Sequence, residues 1–244
     1  MNTPERVVIT GLGAVSALGV GVEPLFAGAL AGRSGIRAWP APERSWVAAA
    51  VPGELGSVGM HHVPANVDRH VGLAALAVRE AMADAGVEKT AGTLSASTGV
   101  YWGTGVGSAA TVEESYGRLH AGQRTRPLTI LLAMQNAAVA QIALDHGLRG
   151  PQLSVSQACA SAAAAIGEAM LALRWGRAER IVVGGSEAPL RPDFAYFTLE
   201  KAFGGPKDSK GRQVYPGFPF DTGIAATKGI PGLLYGGANP VGPG

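Results

Sequence analysis

The chain has 244 residues, of which 47% are hydrophobic and 16% charged, with a formal net charge of +2. Composition of this kind excludes an intrinsically disordered chain, which needs low hydrophobicity and high charge. The small, scattered positive charge excludes the basic footprint of a nucleic-acid binder, and no uninterrupted apolar run reaches the length of a membrane span. The longest candidate, Leu128 to Leu144, is broken by Gln135, Asn136 and Gln141 and reads as a buried helix with its lead-in. With one cysteine, Cys159, no internal disulfide can form, and the N-terminus has no signal-peptide pattern, so the expected compartment is the cytoplasm.

Taken in order, Val7 to Thr10 is a β-branched run closed by Gly11 and Gly13, the pattern of a buried strand and tight turn. Pro24 to Ala31 reads as a short helix stopped by Gly32. Residues 38 to 65, with Pro40, Pro42, Pro52 and Pro64, show no sustained period and read as surface loop. Between Asp68 and Ala85, apolar residues at Val71, Ala74, Ala75, Val78 and Met82 recur at helical spacing, and Gly86 supplies the stop. Thr98 to Trp102 is a second strand, followed by the turn Gly103 to Gly107 and a helix to about His120. Ala133 to His146 gives a further helix ended by Gly147. Leu153 to Ser156 is a strand, Ser161 to Trp175 a helix and Arg180 to Val183 a strand ending at Gly184 and Gly185. Strands alternating with helices predict an α/β fold around a mainly parallel sheet. Residues 222–244 hold seven glycines, three prolines and a single charge, Lys228, so that segment is expected to be poorly ordered.

The short motifs weigh unequally. Gly11 to Ser16 (GLGAVS) follows a strand pattern but lacks the third glycine of a dinucleotide fingerprint, and no helix opens on it. Gly204 to Gly211 (GGPKDSKG) lacks the P-loop order. His61 and His62 are adjacent with no ligand at metal spacing, so they read as exposed loop residues. Cys159 is more informative. The order strand, sharp turn, helix puts it at or just before a helix N-terminus, where free N–H groups and the positive dipole end stabilise a thiolate. A buried, inert cysteine fits the same spacing, and all five histidines, His61, His62, His70, His120 and His146, precede it without marking a base.

Five stretches in order bear on that ambiguity: RVVITGLGAVSALG (6–19), LAGRSGI (30–36), MQNAAVAQIALDHGLRGP (134–151), SQACASAAAAIGEA (156–169) and GGSEAPLRP (184–192). They resemble the N-terminal half of β-ketoacyl-acyl carrier protein synthases, the condensing enzymes of fatty acid and polyketide synthesis. The resemblance implies a thiolase-like fold, the N-terminal half of an αβαβα five-layered architecture, over residues 1–221. It implies that Cys159 is the acyl-accepting nucleophile, that its backbone N–H is one oxyanion donor, and that acyl groups arrive on the phosphopantetheine of an acyl carrier protein, with no bound cofactor or metal. It assigns decarboxylation of a malonyl-type extender to two histidines and a lysine of the family's second half. It also implies a homodimer, or a heterodimer with a chain-length-factor-like subunit, in which Leu153 to Ser156 pairs across the two-fold axis. Pro127 to Gln135, with Leu131, Leu132 and Met134, matches the segment lining the acyl pocket, and Asn136 is expected to satisfy backbone groups. Arg69, Arg124, Arg126, Arg174 and Arg177 are candidates to meet an acidic carrier protein. Phe218 to Asp221 (FPFD) resembles the family's RPFD, but the residues after it depart from the pattern, and a frameshift or truncation after about Asp221 is the expectation. A degradative thiolase and a non-catalytic chain-length-factor-like subunit are the rival readings; the latter usually carries glutamine at the nucleophile's place, where this sequence has Cys159.

Overall fold

A computed structural model describes residues 6–39, 46–51, 67–87 and 96–188. Thr98–Gly103 is the strand on which the rest is built, and every residue of it is buried. It is flanked by two parallel strands, Gln152–Val155 on one side and Arg180–Gly185 on the other. In chain order the elements are β1 (Val15–Ser16), β2 (Gly19–Val20), α1 (Val22–Leu30), β3 (Arg37–Trp39), β4 (Trp46–Ala48), α2 (Arg69–Asp84), β5 (Thr98–Gly103), α3 (Ala109–His120), α4 (Thr129–Ala133), α5 (Ala137–His146), β6 (Gln152–Val155), α6 (Ser161–Arg174) and β7 (Arg180–Gly185).

Side chains alternate across a strand, and β5 uses both of its faces. Val100 and Trp102 enter a core with Val71, Ala74, Val78 and Met82 of α2 and Ala138, Val139, Ile142 and Ala143 of α5. Tyr101 enters a second core with Ala169 and Ala172 of α6, closed by Leu153, Ile181 and Val183. Helices therefore cover both faces of a parallel sheet, the α/β arrangement expected from the alternation of patterns. On α6 the residues that turn to the sheet are alanines, Ala165, Ala169 and Ala172, which let the helix lie close, while Ile166 and Met170 stay exposed.

Three expectations need correction. Residues 7–10 do not form a strand: their backbone pairs with no described strand, and Val8 and Ile9 are 66% and 82% exposed. A β-branched run supplies propensity, but a strand exists only where a partner completes its hydrogen bonds. Within 38–65, β3 and β4 pair as an antiparallel ribbon, Arg37 opposite Ala48 and Trp39 opposite Trp46, where only loop was expected. The lead-in to the helix at Ala133 is a separate short helix, α4, and Leu128, Ile130 and Leu131 are exposed rather than buried. Residues 61, 62, 204–211 and 222–244 lie outside the described residues.

The Gly-rich segment after residue 10 is held by α2. Asp84 accepts from the Leu12 N–H at 2.9 Å, and the two oxygens of Glu80 accept from Ala14 and Val22, each at 2.8 Å. Gly11 and Gly13 lie so close to the α2 carbonyls of Ala81 and Ala77 that a Cβ on either would collide with them.

The start of α2 is fixed by a buried carboxylate. Asp68 caps the helix by accepting from the His70 N–H, accepts from His70 Nδ1 at 3.1 Å, and takes both the N–H and the hydroxyl of Thr111 on α3 at 2.9 and 2.8 Å. Burial raises the Asp68 pKa, but the hydrogen bonds from His70 and Thr111 outweigh it and hold the carboxyl below its ordinary value of 3.8. A carboxylate with a depressed folded-state pKa stabilises the fold fully above its unfolded pKa, and that contribution is lost as pH falls through the folded value. Asp68→Ala should therefore cost about 2–3 kcal/mol at neutral pH, because it leaves buried donors unpaired. Urea unfolding at a series of pH values checks this: between roughly pH 5 and pH 2 the variant should lose less stability than the parent chain.

Candidate functional site

The cysteine sits where the sequence places it, on a turn between β6 and α6. Cys159 is exposed and free. β6 ends at Val155 and α6 begins at Ser161, so the chain reverses within five residues. The reversal needs a left-handed residue, and Ala158, immediately before the cysteine, supplies it with a φ of 48°. That conformation is costly for an L-residue with a Cβ.

Short bonds close the turn. Ala160 N–H donates to the Gln157 carbonyl at 3.0 Å, and Ser161 N–H donates to the Ala158 carbonyl at 3.1 Å. The Ser161 hydroxyl accepts from the Gln157 N–H at 2.8 Å and donates to the Ala158 carbonyl at 2.6 Å. These bonds take up the N–H groups of Gln157, Ala160 and Ser161 and do not involve that of Cys159. An N–H left out of the turn's own bonding at the foot of a 14-residue helix is suited to receive a developing negative charge.

The helix foot is seated on the sheet by two glycines. A Cβ on Gly103, the last residue of β5, would overlap the Ser161 carbonyl carbon and oxygen; one on Gly185, the last residue of β7, would stand 2.6 Å from the Ala162 Cβ. No other residue type permits this approach. The motif GTGVG is thus a seat for the elbow, and it continues into a second clamp. Glu187, just beyond β7, accepts from the Gly105 N–H at 2.6 Å and the Thr104 hydroxyl at 3.1 Å, holding that turn against the elbow. Gly105 meets the elbow directly, since a Cβ there would lie 3.4 Å from the Ala158 Cα.

Other candidate residues divide. Of the segment 127–135, its last residue comes alongside: Ser154 of β6 donates to the Gln135 carbonyl at 3.1 Å, and Gln135 packs on Gly107. Leu131 and Met134, matched to a pocket wall, are 59% and 45% exposed. Asn136 stands at the N-cap of α5 but makes no capping bond, so it does not satisfy backbone groups there. His70 is completely buried and bonded to Asp68, which makes it a structural residue of α2. Among the described residues no histidine hydrogen-bonds the Cys159 thiol, and no group of three or more His, Cys, Asp or Glu side chains is placed to hold a metal. Nor is any described helix long and apolar enough to cross a membrane.

The arginines also divide. Arg69 donates to the Val51 carbonyl at 2.6 Å and belongs to the fold. Arg126 pairs with Glu114 at 2.6 Å on the surface, and Arg177 lies 4.9 Å above the Trp175 ring. Reading the sequence alone missed Ser161 and Glu187. Their signals were a serine two residues after the cysteine and a glutamate after a double glycine, neither of which announces a partner across the turn.

The family described as beta-ketoacyl synthase, N-terminal domain, matches residues 4–210. Nodulation protein E of Rhizobium meliloti (strain 1021) is 35% identical over 192 residues, 76% of this chain and 48% of the relative. The 3-oxoacyl-[acyl-carrier-protein] synthase 2 of Staphylococcus aureus (strain COL) is 31% identical over 197 residues, 78% of this chain and 47% of the relative. Among solved structures, a type II polyketide synthase acyl-carrier protein in complex with its ketosynthase bound to the hexaketide superposes with a TM-score of 0.68 at 26% identity, covering 85% of this chain and 52% of the matched chain. The chain spans about half the length of the curated relatives it matches.

Because a glycine adopts the left-handed conformation without the penalty an alanine carries, Ala158→Gly should raise the stability of the chain by about 0.5–1 kcal/mol. Thermal unfolding of the two proteins measures it; an unchanged or lower midpoint would show that the turn holds no strain at this position.

Proposed function

The chain belongs to the β-ketoacyl synthase family through that family's N-terminal domain, and on that premise we propose that Cys159 accepts an acyl group from a thioester carried on the phosphopantetheine of an acyl carrier protein. The observation that carries the reading is the exposed cysteine on a tight turn at the foot of α6, with its own N–H left out of the turn's bonds.

The chemistry is set by the placement. The Cys159 thiolate attacks the thioester carbonyl carbon, and the carbonyl oxygen becomes an oxyanion within reach of the Cys159 N–H. As the tetrahedral species collapses, the carbon to pantetheine-sulfur bond breaks, the pantetheine thiolate leaves and takes a proton from solvent, and the acyl group remains on Sγ. In the family's second step a malonyl-type extender on carrier protein loses carbon dioxide, and its carbanion attacks the acyl-enzyme carbonyl carbon; the new carbon–carbon bond forms as the carbon to Sγ bond breaks, which gives β-ketoacyl carrier protein and returns the Cys159 thiolate. The histidine pair and lysine that the family resemblance assigns to this second step are not among the residues described for this chain. No bound cofactor is needed for either step in this reading.

The same reading identifies partners. A solved ketosynthase in complex with its acyl-carrier protein is similar to this chain, which supports a carrier protein as the acyl donor here. β6 has β5 on one side and no described strand on the other, and this free edge supports pairing with a second copy or with a chain-length-factor-like subunit. The side chains of Leu131 and Met134, exposed on the segment that ends at Gln135, are suited to contact the acyl chain.

Incubation with an acyl-carrier protein thioester, followed by intact-mass and peptide-mass measurement, tests the proposal. One acyl group should appear on the peptide containing Cys159, faster from carrier protein than from the coenzyme A thioester. Cys159→Ala should abolish the adduct, a loss of at least about 10²-fold, since no other thiol exists in the chain. An adduct on another residue, or one that persists in the variant, would overturn it.

A further inference from the structure

Ser161 is 3% exposed, and its hydroxyl works in both directions at once. It accepts from the N–H of Gln157 and donates to the carbonyl of Ala158, the two residues immediately before the cysteine. Among side chains of this size, only a hydroxyl both accepts from an N–H and donates to a carbonyl through one atom. The carbonyl it binds belongs to the left-handed Ala158, and the same carbonyl receives the Ser161 N–H at 3.1 Å. On its other side Ala158 meets Gly105, whose N–H is held by Glu187. The backbone leading into Cys159 is therefore gripped by one buried hydroxyl and buttressed by one clamped turn.

We infer, resting on the reading of Cys159 as acyl acceptor, that Ser161 is the positioning residue for acyl transfer: its hydroxyl locks Ala158 in the left-handed conformation and thereby sets the Cys159 thiolate and the Cys159 N–H at the spacing a single thioester carbonyl requires. The two groups must meet different atoms of that carbonyl at the same moment, sulfur at carbon and N–H at oxygen. An L-residue released from the left-handed region relaxes toward negative φ, which rotates the peptide that carries the Cys159 N–H. Removing the hydroxyl leaves the thiol in place and spoils the alignment.

That separation gives a test which a merely structural role would not satisfy. Alkylation by iodoacetamide needs the thiolate alone: the sulfur to carbon bond forms and iodide leaves, with no oxyanion to receive. Acylation by an acyl-pantetheine thioester needs both groups. In the full 244-residue chain, Ser161→Ala should slow acylation at least about 30-fold, approaching the roughly 10²- to 10³-fold lost when one oxyanion donor is removed outright. Its alkylation rate should stay within about threefold of the parent, because the thiolate itself is untouched. Ser161→Thr, which keeps the hydroxyl, should restore acylation, while Ser161→Val, of nearly the same volume as threonine, should show the same split as alanine. The threonine and valine pair keeps the contrast readable if the alanine variant folds poorly.

Acylation unchanged in both Ser161→Ala and Ser161→Val would overturn the inference while leaving the acyl-acceptor reading standing. Equal slowing of acylation and alkylation would also overturn it, since that marks a general loss of structure. A parent chain that alkylates at Cys159 but takes no acyl group would overturn the acyl-acceptor reading itself, and this inference with it.

Discussion

The site depends on one close approach. The N-terminus of α6 rests on the C-terminal ends of β5 and β7, and it comes that near only because Gly103 and Gly185 have no side chains to hold it off. The geometry of the cysteine turn rests on this seat. With the helix foot fixed against the sheet, the turn from β6 must be short, so one residue has to be left-handed. The buried hydroxyl of Ser161 then closes the turn on the residues before the cysteine. The cysteine itself is left exposed at the top, beside a helix dipole and an N–H that the turn does not use.

The rest of the fold serves that arrangement by holding β5 still. Its alternating side chains are gripped from both faces, Val100 and Trp102 by α2 and α5, and Tyr101 by α6. Trp102 is fixed at its far end too, where Nε1 donates to the Ser186 hydroxyl at 2.9 Å, next to Glu187. The buried Asp68 links α2 to α3, and Glu80 and Asp84 of α2 carry the Gly-rich segment near the N-terminus. Carboxylates thus do locally what a cofactor phosphate does in the superficially similar dinucleotide fingerprint: they collect backbone N–H groups.

Much of this was legible in the sequence, and the misses have physical causes. Helical periodicity located α2 to within a residue at each end, because its buried face is regular and Asp68 is a strong cap. Strands β5, β6 and β7 were found to within about two residues, since runs bounded by Gly or Pro leave few alternatives. The run at Val7 to Thr10 misled because strand formation depends on a partner that local sequence does not show. The β3 and β4 ribbon was hidden by prolines that lie between its strands rather than within them. At the site, the place of Cys159 on the turn between β6 and α6 was legible in the sequence, and its role as acyl acceptor is proposed from the family resemblance. Ser161 and Glu187 were not, because their roles are hydrogen bonds to backbone across a turn, and any small polar residue looks the same until the turn is folded.

If the glycine seat at the ends of β5 and β7 is what makes the cysteine elbow competent for acyl transfer, filling it must slow that transfer. Gly103→Ala tests this most directly, since one added methyl group would overlap the Ser161 carbonyl and must push α6 away from the sheet. The measurement is the rate of acyl-adduct formation at Cys159 from an acyl-carrier protein thioester, with circular dichroism to confirm that the helices persist. The expected result is a folded chain whose acylation falls by at least about tenfold, as misplacement of aligned groups does elsewhere. A folded Gly103→Ala chain that acylates as fast as the parent would contradict it.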